Sequence, residues 1–174
     1  FPVENEADYD RLLPRLNGAH PGRYADDFDE DLDINLKGAV RVLKAAIPAL
    51  RAAPHASVVL FSTVAVTTGM PMHASIASAK GAIEGLTRSL AAEYAPGVRF
   101  NAIAPSLTDT SLASGLLRTE RQREAAATRH PLERIGDPDE LAALAGFLLS
   151  DDSRWITGQV LHADGGMSSI RKFA

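Results

Sequence analysis

The chain has 174 residues, 45% of them hydrophobic, 23% charged and 6% aromatic, and 18 basic against 22 acidic residues leave a net charge of −4. This length suits one globular domain with a core of its own, and the acidic balance offers no basic surface to nucleic acid. No apolar run nears the ~20 residues of a membrane span. The lack of cysteine excludes disulfides, thiolate nucleophiles and cysteine-bound zinc, which fits a reducing cytoplasm. The sequence begins with Phe1 rather than Met and nothing there resembles a signal peptide, so a longer parent chain is expected.

In chain order, residues 1–3 read as the end of a strand and 4–16 as a short helix. A turn-rich loop with Gly18 and Gly22 comes next. A helix is predicted over 26–51, because Phe28, Leu32, Leu36, Val40, Leu43, Ile47 and Leu50 recur at steps of three or four. The acidic run between Asp26 and Asp33 suits a solvated helix start favoured by the helix dipole rather than a metal site. Residues 57–61 form a short apolar run that predicts a strand buried on both faces. After a loop over 62–75, a helix is predicted for 76–94 and a second buried strand for 98–104. An Arg-rich helical stretch spans 110–129, with Glu120 and Glu124 spaced to pair with its arginines. Asp137, Pro138 and Glu140 together mark a helix start, since Asp137 can cap, Pro138 suits the first turn and Glu140 completes a capping box. That helix should end near Ser150, and residues 158–163 make a third strand before the turn Asp164-Gly165-Gly166.

Strands alternating with helices of this length imply βαβ units and a parallel α/β sheet in a single domain over 1–174. Three strands make a small sheet, whose open edge would expose unpaired backbone groups. More sheet upstream of Phe1, or a partner chain, should cover it.

Several segments then stand in a familiar order. They are Ile34-Asn35-Leu36-Lys37-Gly38, Val59-Leu60-Phe61-Ser62-Thr63, Ala77-Ser78-Ala79-Lys80-Gly81-Ala82 and Arg99-Phe100-Asn101-Ala102-Ile103-Ala104-Pro105. After them come Arg134-Ile135-Gly136-Asp137-Pro138-Asp139-Glu140 and Ile156-Thr157-Gly158-Gln159 leading to Asp164-Gly165-Gly166. Over residues 26–167 the chain resembles the short-chain dehydrogenase/reductase superfamily. The resemblance implies a Rossmann-like, doubly wound parallel sheet whose N-terminal strands are missing from the sequence. It also implies hydride transfer between NAD or NADP and a carbonyl or alcohol of a small molecule. A catalytically silent homologue that keeps the fold for binding or assembly is the alternative.

The family's catalytic set is Asn, Ser, Tyr and Lys. Asn35 falls on its Asn and Lys80 on its Lys, but Ile76 stands where the Tyr should be, and Thr63 takes the Ser position with Ser62 just before it. In relatives the Tyr hydroxyl is the general acid/base, and a free phenol pKa of ~10 needs the Lys ammonium to bring it near neutrality. Thr63 keeps a hydroxyl, whereas Ile76 has no proton to give. His73, three residues before Ile76, is a candidate substitute acid/base, with Ser75 and Ser78 close by. On helical pattern alone Lys80 simply runs its methylenes along an apolar stripe, and Asn35 is a buried structural amide.

The family's glycine-rich pyrophosphate motif is not found, and no strand fits between Leu16 and Asn17, where about ten residues would be expected. What remains is the nicotinamide end, namely Lys80 with Pro105, Ser106, Leu107, Thr108 and Thr110. Ser106 stands where the family has Gly, a change that would alter the turn if φ were positive. The resemblance also implies a homodimer or homotetramer. No Ser-His-Asp set and no ligand-spaced metal cluster is legible, so a hydrolase or metal enzyme is not expected.

Overall fold

The computed structural model describes residues 24–171. The elements expected over 1–16, and Gly18 and Gly22, lie outside the described residues.

The long helix forms, but it is not continuous α-helix. α1 (Tyr24–Asp31) runs into a π-helical segment, Leu32–Lys37, and resumes as α2 (Gly38–Ala52). Within it the Gly38 N–H bonds to the Asp33 carbonyl, five residues back. The extra residue rotates the helix beyond it. Ala39 therefore continues the inward stripe to Leu43, Ile47 and Leu50, while Val40 is left 44% exposed. Asp33 pairs outward with Arg41 and Lys37, the solvated arrangement expected of the acidic run.

Three strands, β1 (Ala56–Phe61), β2 (Val98–Pro105) and β3 (Val160–Ala163), form one parallel sheet in that order. Val58 lies beside Phe100 and Phe61 beside Ile103 in the first pair, and Ala102 lies beside Val160 in the second. β2 is buried along nearly its whole length, as predicted. β1 departs from expectation, because only Ala56 is buried and Phe61 is 44% exposed. β2 is the less apolar of the two, with Arg99 and Asn101, but among the described residues β1 has a strand on one side only.

Helices cover both faces of the sheet. On one face, α2 and α4 (Ala74–Tyr94) close a core of Leu43, Ala91, Val98 and Phe100 with Val58 and Leu60. On the other lies α6 (Pro138–Leu149), whose Leu148 is fully buried and accepts the Ser57 hydroxyl at 2.8 Å. Asp137 and Glu140 make the expected capping box. Arg99 at the base of β2 spends its buried guanidinium on the carbonyls of Leu148, Ser150 and Ser153, tying the end of α6 to the sheet.

Boundaries shift by one or two residues at several ends, β3 beginning at Val160 rather than 158, and two regions change more. The 62–75 loop contains a single helical turn, α3 (Ala65–Thr68), because Val64 and Ala65 are buried and the Thr68 hydroxyl closes onto the Val64 carbonyl. α4 consequently starts at Ala74, two residues early. The Arg-rich stretch divides into a 3-10 turn, Leu112–Leu116, and α5 (Glu120–Ala127), packed through Ala113, Leu117 and Ala126 onto Leu107 and Ile135. Arg123 pairs with Asp109 at 2.7 Å rather than with Glu120 or Glu124, since the chain between them folds back on itself. Among the described residues no helix is long and apolar enough to cross a membrane.

Candidate active site

The C-terminal end of β1 receives side chains from three elements. Lys80 lies one turn along α4 from Ile76, and its ammonium donates to the Phe61 carbonyl at 3.1 Å. Ser62 donates its N–H to Ile103 in β2, so the carbonyl of Phe61, one residue earlier, faces the opposite, open edge. Burial pulls the Lys80 pKa below the usual amine value, and the nearby Asp31 carboxylate acts against that shift. An ammonium carries three donors. Among the described residues Lys80 spends one.

Asn35 sits in the π segment, which packs on α4. Its amide donates to the Asp31 carbonyl at 3.0 Å, supplying a partner that the widened turn displaces. Its side-chain oxygen has no partner among the described residues. Thr63 lies two residues past the end of β1 and accepts from the Ala65 N–H at 3.3 Å, leaving its own proton unspent. The fold thus brings Thr63 and Lys80 to one strand end and packs the segment of Asn35 against the helix of Lys80, yet none of the three bonds to another.

Ile76 is half-buried on the same helix and offers no donor. His73 is exposed at the start of α4 with Nδ1 on the Pro71 carbonyl at 2.8 Å, and Ser78 bonds back to Ala74. Glu84 was not singled out from the sequence. It is buried, accepts the Ser62 hydroxyl at 2.8 Å and pairs with Arg88. The only sequence signal was the Lys80, Glu84, Arg88 spacing of four, which puts alternating charge on one helix face.

Residues 106–110 leave the end of β2 as a loop. Thr108 is buried, donates to the Ser106 carbonyl at 3.0 Å and forms a parallel bridge with Gly136. Thr110 is exposed, and its hydroxyl only accepts, from Ala113 at 3.4 Å. Ser106 does not adopt positive φ, which among the described non-glycine residues belongs to His55, Met72 and Glu133. The serine therefore replaces a glycine there without backbone strain.

A parallel sheet covered by helices on both faces, with a lysine and a hydroxyl gathered at a strand's C-terminal end, has the layout of a Rossmann-type α/β protein. Residues 14–168 match the family described as enoyl-(acyl carrier protein) reductase. The chain is 36% identical over 159 residues to a 3-oxoacyl-[acyl-carrier-protein] reductase of Thermotoga maritima, covering 91% of this chain and 61% of that one. The ligand-free aldohexose dehydrogenase of Thermoplasma acidophilum superposes with a TM-score of 0.81 at 32% identity, over 86% of this chain and 62% of that one. An NADPH-bound short-chain oxidoreductase of Pseudomonas aeruginosa PAO1, described as containing an atypical catalytic center, gives 0.77 at 26% identity over 83% and 58% of the two chains.

This chain belongs to the short-chain dehydrogenase/reductase family. It spans about 60% of the length of the first curated relatives it matches.

Proposed function

We propose that the chain is part of an NAD(P)-linked oxidoreductase that interconverts a carbonyl and an alcohol on a small molecule. In its site Ile76 replaces the phenolic acid. The observation that carries this reading is the half-buried Lys80 ammonium, anchored at the end of β1 by one hydrogen bond with two donors to spare. Those donors suit the vicinal hydroxyls of a ribose, and the free proton of Thr110 with the backbone of Pro105, Ser106, Leu107 and Thr108 suits a carboxamide. When bound, the nicotinamide supplies or accepts the hydride.

The protein's own part is to hold the reacting oxygen and manage its proton. The Thr63 hydroxyl donates to the substrate oxygen, because its lone pair already serves Ala65 while its proton is unspent. Asn35, with a free side-chain oxygen, holds a water on the path to solvent. The proton comes from a donor other than residue 76, and His73 is the nearest imidazole in sequence. A homodimer or homotetramer is the assembly this family reading carries. Monomeric light scattering at micromolar concentration would contradict it.

The second reading, a catalytically silent relative, is favoured by Ile76 alone. One experiment separates the two: NADH and NADPH are titrated into the full-length protein, and turnover is compared with that of Ile76→Tyr. Saturable binding with turnover that rises in Ile76→Tyr supports the oxidoreductase. Binding with no turnover in either protein supports the silent relative, and absence of dinucleotide binding in both ends the oxidoreductase reading.

A further inference from the structure

We propose that Ser106 and His130 form a second, hydrolytic site that cleaves small acyl esters. They are 24 residues apart in sequence, and the fold sets the Ser106 hydroxyl 2.8 Å from Nε2 of His130. The other ring nitrogen, Nδ1, lies 3.0 Å from the Ala126 carbonyl. A carbonyl only accepts, so Nδ1 carries the proton and Nε2 presents its lone pair to the serine. A serine within hydrogen-bond reach of a base, itself oriented by a third group, is the arrangement of an activated nucleophile. The Ser106 oxygen also lies 3.5 Å from the Met167 sulfur, a longer contact to a weaker acceptor.

Both residues line a cavity of about 340 Å³ at the C-terminal ends of β2 and β3. That volume lies at the lower end of small-ligand pockets. Leu107, Leu132 and Leu141 give it apolar walls suited to a short acyl chain. Asn35, Thr63 and Lys80 are not part of it, although Ser106 and Leu107 belong to the loop whose backbone is assigned to the carboxamide. Ala126, which orients the imidazole, lies in the last turn of α5. Leu107 and Gly165 line the cavity, their backbone N–H groups have no partner among the described residues, and the Leu107 N–H directly follows the attacking residue, as an oxyanion donor would.

The chemistry balances without any further group. The Ser106 oxygen attacks the ester carbonyl carbon while its proton passes to His130 Nε2. The ester C–O bond breaks, and the departing alkoxide takes that proton. Water then attacks the acyl-serine with its proton going to Nε2, the acyl–serine bond breaks to free the carboxylic acid, and Ser106 recovers its proton from the imidazole.

A fluorophosphonate probe tests this on the full-length protein, with the adduct mapped by mass spectrometry. The expected result is a single phosphonyl adduct on Ser106, formed about 100-fold more slowly in His130→Gln. No adduct on Ser106 in the folded protein, an adduct confined to another serine, or an unchanged rate in His130→Gln would overturn the proposal. If His130→Gln loses its cooperative melt, the p-nitrophenyl acetate burst decides. Its loss in Ser106→Ala supports the site and its persistence refutes it. Neither readout uses a dinucleotide, so this result is separate from the oxidoreductase test.

Discussion

The ends of β1 and β2 lie side by side in one sheet, and their polar groups are arranged in opposite ways. Beyond β1, Lys80, Asn35 and Thr63 each hold a backbone atom and none holds another, so donors and acceptors are left over. Beyond β2, Ser106, His130 and Ala126 hand hydrogen bonds to one another in a closed series. Unspent donors suit a ligand that brings its own hydroxyls. A closed series suits a group whose reactivity depends on its neighbours. One sheet thus presents a receiving end and a pre-wired end about one strand spacing (~4.8 Å) apart.

The largest perturbation should abolish the contrast by removing the platform. Phe100 is fully buried at the centre of β2, and Phe100→Ala should cost about 3–5 kcal/mol by chemical denaturation, loosening both ends together. Lys80→Met sharpens the contrast by emptying the receiving end. Loss of charged hydrogen bonds worth about 1.5–3 kcal/mol should weaken NADPH binding roughly 10- to 100-fold in a fluorescence titration. An unchanged affinity would remove Lys80 from the site.

Thr119→Ala acts behind the pre-wired end, where Thr119 and Gln122 form the capping box of α5. It should cost about 1 kcal/mol in denaturant melts. The smallest effect is expected at Glu140, beside the cavity. The Arg134 guanidinium and the Asp137 backbone N–H hold its carboxyl at about 2, against an ordinary 4.5. A lowered folded pKa means that the pair's stabilisation is complete above pH 4.5 and is lost as pH falls toward 2. The Tm difference between wild type and Glu140→Gln should therefore shrink across that interval, and a difference that holds constant would show that the pair adds nothing.

Most of the architecture was legible because it rests on local signals. The α6 start is written in Asp137, Pro138 and Glu140, and β2 in an apolar stretch interrupted only by Arg99 and Asn101. The π segment escaped because steps of three or four tolerate one inserted residue without breaking the pattern. The exposed face of β1 escaped because burial belongs to a strand's neighbours, and the more apolar strand, β1, is the less buried. At the site, Asn35, Thr63 and Lys80 were found by resemblance. The anchor of Lys80 was invisible, since any residue at 61 has the same carbonyl. Ser106 with His130, and Asp109 with Arg123, meet across 24 and 14 residues, distances at which no periodicity reports.

The anchoring of Lys80 also bears on how the sheet grows. In β1 the peptide groups of Ser57, Val59 and Phe61 alternate with those that pair to β2, and they form its outer margin. The outermost carbonyl is already taken by an ammonium. A carbonyl oxygen has two lone pairs, so a strand docking along that margin would share its final rung with the ammonium rather than be stopped by it. The free margin of the sheet and the lysine are thereby joined at a single atom.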